Sequence, residues 1–313
     1  MQAVFVAFGI EYLAMAVNAV RTLRTASPGV GSVVVTNVPA DRAFLEAEFD
    51  SVVVLDEPDA ANRLAKLRAD EFVTSDVAVY LDADIEVTGD IRPVFSLLDR
   101  HDVLLHAFRV PTKFRFPITD HLEASMMTQF WGAIIFFRRN ARSRALFAAW
   151  TDRFEQSGIR RDQPALQRAV LDLPDVRVLP LNMVWGSTDD EVGRHADLAR
   201  ESARIRHYGA PEGDPEVLRR VAAAHDAVVA ALPVPVRSSV EVRSSVLRYA
   251  RLRQLTIIPR PLHRLARTLW RLQDRRDGVV ALPRGKQDAA GGQEHLGGVT
   301  LWDDVAGPSG RDD

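Results

Sequence analysis

Short apolar runs alternate with stretches of helical periodicity through the first part of the chain. The run AVFVAF (3–8) predicts a strand, and Glu11 to Leu23 carries Leu13, Ala16, Val17 and Val20 at the spacing of one helix face. GSVVVTN (31–37), SVVVL (51–55) and VAVYL (77–81) predict three further strands. Between them, DRAFLEAEF (41–49), with Asp41 as N-cap, and a segment from Asp59 to Asp70 predict helices. Strands that are apolar at nearly every position are buried on both faces. The pattern therefore predicts an α/β fold, a doubly wound and mostly parallel sheet of Rossmann-like type. Such sheets bind ligands beyond the carboxyl ends of their strands.

Farther on the rhythm loosens. DVLLHAF (102–108) and FWGAIIFF (130–137) read as strands on either side of a long stretch without periodicity of its own. Loops of that length inside a domain usually carry function. Helices are expected at 143–156 and 162–171, strands at 176–179 and 203–209, and a helix from Pro215 to about Ala231. From Val236 to Arg276 eleven arginines stand against two acids, and Pro259 and Pro261 divide the segment into two helical pieces. Beyond Asp277 Gly, Pro, Asp and Gln dominate, a composition that cannot bury a core. The expected organisation is an α/β domain over 1–235, an arginine-rich helical extension over 236–276 and a disordered tail over 277–313.

Composition narrows the classes. A formal charge of −2 over 313 residues lacks the basic excess that a phosphate backbone demands, so no nucleic-acid partner is expected. With no cysteine, disulfides, thiolate nucleophiles and cysteine-ligated zinc are excluded, and the absence fits a cytoplasmic location. The apolar start of the chain is broken by Glu11 and Asn18 and has no basic leader, so it reads as strand and helix rather than as a signal or an anchor.

The chemistry begins at VAVYLDADIEVTGDI (77–91), where an apolar strand runs into Asp82 and Asp84. Two carboxylates this close repel, and burial worsens the repulsion. A hard divalent cation, manganese or magnesium, turns it into attraction, and such ions usually bridge to substrate phosphates. A capped, solvated turn is the plain alternative.

The segment LAKLRADEFVTSDVAVYLDADIEVTGDI resembles the core of the metal-dependent GT-A glycosyltransferases, the glycogenin-like family 8 group in particular. FWGAIIFF, DQPALQRAV, LPLNMVW and HYG follow in the order of that family's later landmarks, and the likeness spans roughly residues 1 to 215. It implies transfer of a sugar from a nucleotide-diphosphate donor, with uridine as the base, to an acceptor hydroxyl, the anomeric configuration being retained. The implied metal ligands are Asp82, Asp84 and His207, holding Mn2+ or Mg2+. Donor contacts would come from Phe8 and Tyr12 at the uracil and ribose and from Lys66 at the diphosphate. Asp82, Ala83, Trp131, Gly132, Asn182 and Gly209 complete the implied donor site. Asp162 and Gln163 would sit beside the anomeric carbon, although Asp162 equally suits a helix N-cap.

Two departures stand out. The family's lysine beyond the histidine is missing from HYGAPEGDP, which leaves Arg160, Arg161 or Arg206 to meet the leaving group, and Trp131 replaces the asparagine that would meet the donor's hydroxyls. A haloacid-dehalogenase-type phosphatase would need Thr or Val where Glu86 stands, and a pyrophosphorylase would need a glycine-rich loop that AFGIEYL does not supply. A non-catalytic sugar-nucleotide or carbohydrate-binding protein on the same fold stays open, and the acceptor (glycan, lipid or protein) is not specified. The segment LHRLARTLWRLQ aligns Leu262, Leu265, Leu269 and Leu272 among arginines. It reads either as a peripheral contact with the inner face of the membrane or as a helix packed on the catalytic domain.

Overall fold

The computed structural model describes residues 1–107, 129–158, 162–188, 203–208 and 214–237. Strands β1 (Gln2–Val6), β2 (Gly31–Thr36), β3 (Ser51–Val54) and β4 (Val77–Leu81) alternate with helices α1 (Ile10–Ala26), α2 (Arg42–Glu48) and α3 (Asn62–Leu67). Then come β5 (Ile85–Val87), α4 (Arg92–Phe95), β6 (Val103–Ala107), β7 (Phe130–Arg138), α5 (Ala141–Ser157) and α6 (Gln163–Asp172). The described chain closes with β8 (Val178–Leu181), β9 (Ser187–Thr188), β10 (Ile205–His207), α7 (Pro215–Ala230) and α8 (Val234–Arg237).

Seven strands form one sheet in the order β3-β2-β1-β4-β7-β6-β8. The first four are parallel, β6 and β8 are parallel to each other, and β7 runs antiparallel between β4 and β6. This is the mostly parallel α/β sheet that the pattern predicts. Alternation along β1 divides the core in two: Ala3 and Phe5 pack with α1, α2 and α7, while Val4 and Val6 pack with α3, α5 and α6.

Element ends follow local chemistry. Asp41 caps α2 as expected, accepting the Ala43 amide at 2.7 Å. Asn140 caps α5 in a capping box with Ser143, and Gly158 ends it in the left-handed region at φ 61°. The helix expected over 59–70 is instead one turn of 3-10 helix, the six-residue α3 and a second 3-10 turn (Ala69–Glu71). Neither α3 nor its flanking turns has a side-chain cap, so no long helix is stabilised there.

A second, three-stranded sheet (β5-β10-β9) is absent from the sequence expectation. In it β10 pairs antiparallel with β5, placing His207 opposite Ile85. The short α8 straddles the expected boundary at 235/236. The arginine-rich segment beyond it, the tail and residues 108–128, where the sequence predicts a long loop, lie outside the described residues, and so do Arg160, Arg161 and Gly209. Among the described residues no helix is long and apolar enough to cross a membrane.

Candidate metal and donor site

The site is built where β4 ends. The Asp82 amide continues the ladder to the Ala133 carbonyl at 2.9 Å, and the chain then turns through Asp84 into β5. The antiparallel partner β10 delivers His207 to this turn, and the Tyr208 amide donates to the Asp84 carbonyl at 3.1 Å. His207 Nε2 thus lies 3.0 Å from Asp84 Oδ1 and 4.0 Å from Asp82 Oδ2, and one ligand atom from each residue falls within 4.8 Å of the others.

These separations fit a six-coordinate ion. Adjacent ligands at roughly 2.1 Å from a metal stand about 3 Å apart and opposite ones about 4.2 Å. Two carboxylate oxygens and an imidazole nitrogen are a donor set that suits manganese or magnesium with water and phosphate completing the shell. Burial lowers the His207 pKa, but the Asp84 and Asp82 carboxylates outweigh burial and hold it above the ordinary value.

A buried charge cluster adjoins these three residues through Asp82. Lys66, reaching in from α3, places Nζ 2.9 Å from Asp162 Oδ2 and 3.2 Å from Asp82 Oδ1. Burial opposes its charge, yet the two carboxylates win and raise its pKa, while Lys66 keeps Asp162 below the usual carboxylate value against the cost of its own burial. Asp162 occupies the N-cap position of α6 but its side chain does not cap the helix. Its carboxylate is committed to Lys66, and its carbonyl accepts the Trp150 Nε1–H at 2.8 Å. Gly132 on β7 makes room for this pairing, because a Cβ there would come to 3.0 Å from the Trp150 ring and 3.4 Å from Asp162 Oδ2. Gln163 opens α6, half-buried.

The aromatic residues divide. Tyr12, 47% exposed, lies within the field of both Asp84 and Asp82, and burial of its hydroxyl followed by those charges raises its pKa. Trp131 meets the His207 ring edge-on with centroids 4.3 Å apart, and the His106 ring also packs on Trp131 at 5.6 Å. Phe8 corrects its expected role at the base. Its side chain is 1% exposed and packs in the α3/α5/α6 half of the core, while its amide donates to Asn62. Ala83 is likewise buried, against the opposite half of the core. Asn182 is exposed at the end of β8, its Oδ1 accepting the Val184 amide, and no described contact joins it to the ligands.

Three contributors escape the sequence reading. Tyr80 donates its hydroxyl to Asp82 Oδ1 at 2.5 Å, and the period of two along β4 could have placed it on the face of Asp82. His106 is fully buried at the β6 bulge, and burial, then the His207 charge, pulls its pKa down to about 4. Arg63 stands exposed on α3 one turn before Lys66, and its charge acts on both Tyr12 and Asp162. Of the cations nominated for the missing lysine, Arg206 is bound to Asp214 at 3.0 Å.

No protein-family model and no curated protein matches the chain. Solved structures do. The galactosyltransferase LgtC, crystallised with donor and acceptor sugar analogs, aligns at 16% identity and a TM-score of 0.52, over 76% of this chain and 99% of its own. An active-site mutant of LgtC aligns at 16% identity and 0.51, over 67% and 88% of the two chains. The bifunctional glycosyltransferase WbbM, in its apo form, aligns at 14% identity and 0.52 over 71% of this chain, which spans only 49% of WbbM. The chain has the GT-A fold of nucleotide-diphospho-sugar transferases.

Proposed function

We propose that the protein is a metal-dependent glycosyltransferase that takes a sugar from a nucleotide-diphosphate donor, a UDP-sugar by resemblance, and places it on an acceptor hydroxyl. The observation that carries this reading is the meeting of the neighbouring Asp82 and Asp84 with His207, distant in sequence, within 4.8 Å at the end of β4 on a GT-A sheet. These three residues would hold Mn2+ or Mg2+. When bound, the ion neutralises charge on the departing diphosphate.

The chain's own groups account for the remaining tasks. Tyr12 offers an exposed ring at the mouth of the site for the base. Lys66 fixes Asp82 and Asp162 relative to each other, so that Asp162 stays ionised and aimed beside the reacting carbon. Arg63, exposed on α3 one turn before Lys66 and with its charge acting on Tyr12 and Asp162, would meet the diphosphate in the role of the absent lysine. Gln163, at the start of α6 next to Asp162, supports the sugar face in a retaining transfer. By sequence order, residues 109–128, which precede β7, would contribute to the acceptor site, and a peripheral membrane contact through 236–276 would bring a lipid-linked acceptor near.

Release of UDP from UDP-sugars, with Mn2+ and with EDTA, tests the reading. The expected result is turnover that EDTA abolishes and that Asp84→Ala lowers by at least about 100-fold. Donor binding with no UDP release under any acceptor would favour a binding protein on the same fold, a reading supported by the missing lysine. Turnover indifferent to both EDTA and Asp84→Ala would refute the metal site.

A further inference from the structure

Asp82 has its two oxygens in different circumstances. Oδ1 takes the Tyr80 hydroxyl at 2.5 Å and the Lys66 ammonium at 3.2 Å. Oδ2 is turned toward His207 Nε2, 4.0 Å away. A carboxylate oxygen has two lone-pair sites, and on Oδ1 both are answered by protein donors. Both donors are buried, Tyr80 at 2% and Lys66 at 8% exposure, so neither exchanges its contact for water. The Lys66 ammonium also lies 5.3 Å from the Tyr80 ring centroid, which ties the two donors into one unit.

We infer that Tyr80 and Lys66 are positioning residues that restrict Asp82 to one coordinating oxygen, Oδ2, and thereby make the site selective for a small six-coordinate cation over calcium. The inference rests on the metal reading above and adds its selectivity. Calcium gathers six to eight oxygens and favours carboxylates free to bind through both oxygens, whereas manganese and magnesium are satisfied by single oxygens in near-octahedral array. Outer-shell donors of this kind orient the ligand and sharpen the choice of ion.

The test is Mn2+ binding to the purified full chain, followed by the EPR signal of free Mn2+, with Ca2+ as competitor. Tyr80→Phe keeps the ring and removes the donor, and Lys66→Met strips the other donor from the same oxygen. Wild-type protein is expected to release Mn2+ only at about 100-fold or greater excess of Ca2+. Tyr80→Phe should lose about tenfold or more in Mn2+ affinity with Ca2+ affinity changing less, and in Lys66→Met, where loss of a repelling charge strengthens binding of both ions, the Mn2+/Ca2+ preference should likewise narrow. An unchanged Mn2+/Ca2+ ratio in folded Tyr80→Phe protein, or wild-type protein that binds Ca2+ as tightly as Mn2+, overturns the selectivity and leaves the metal reading intact. No Mn2+ binding by the wild type removes the metal reading and this inference together.

Discussion

At the scale of single residues, the Lys66–Asp162 pair joins stability to the site. Removing one partner of a buried ion pair leaves an uncompensated charge, typically at a cost of about 3–5 kcal/mol. Lys66→Met is therefore expected to lower unfolding stability by about 3 kcal/mol in urea titration, and adding Asp162→Asn should recover part of the loss. Arg63 is exposed, so its removal should not strain the fold. Arg63→Ala should lower kcat by about tenfold or more with unchanged stability, while Arg63→Lys keeps part of the rate, measured as UDP release. Asp82 and Asp84 stand out in the sequence because an apolar strand runs straight into two acids, whereas His207 is singled out only through the ordered resemblance, since a histidine at a strand end has no signature of its own. Tyr80 is hidden there because a tyrosine in an apolar strand looks like core, and only the folded face reveals that its hydroxyl meets Asp82. Phe8 errs in the other direction: an aromatic after the first strand looks available, but the turn rotates it into the interior.

At the scale of elements, β7 carries a constraint that strand propensity alone does not express. Gly132→Ala would push against Trp150 and Asp162, and we expect a loss of about 1–2 kcal/mol together with weaker donor binding, checked by thermal melts and by donor KM. The parallel strands were legible because their apolar runs fill both faces. The strand β5 was not, since its centre is Glu86, buried at 4% exposure. Glu86 is tolerated because Arg220 on α7 and Asn18 on α1 reach it at 2.7 and 3.1 Å, and neither partner lies near it in the sequence. The α3 region shows the converse, a helical pattern that breaks into short turns for want of caps.

At the scale of the whole molecule, pH acts away from the site as well as in it. A cleft of about 410 Å3 lined by Arg68, Asp70, Arg139, Arg144 and Phe147 includes Arg139, which adjoins the start of β4, opposite the end that bears Asp82. Burial, then the neighbouring Glu71, pushes the Asp70 carboxyl up to about 6, against Arg144 and Arg139. The folded chain keeps this proton up to about pH 6, whereas the unfolded chain releases it near 3.9, so this group's contribution weakens as pH rises between those values. Asp70→Asn is expected to stabilise the protein by about 1 kcal/mol at pH 7 and by nearly nothing at pH 4, read from urea midpoints. The sheet that presents His207 has one further consequence. Because β10 can pair with β5 only once the intervening polypeptide has been made, a ribosome-bound chain that has exposed both aspartates still lacks His207. If the proposed metal site forms, ion capture would await completed assembly, and added manganese is expected to act as a late staple, slowing unfolding while leaving the early collapse of the first four strands untouched.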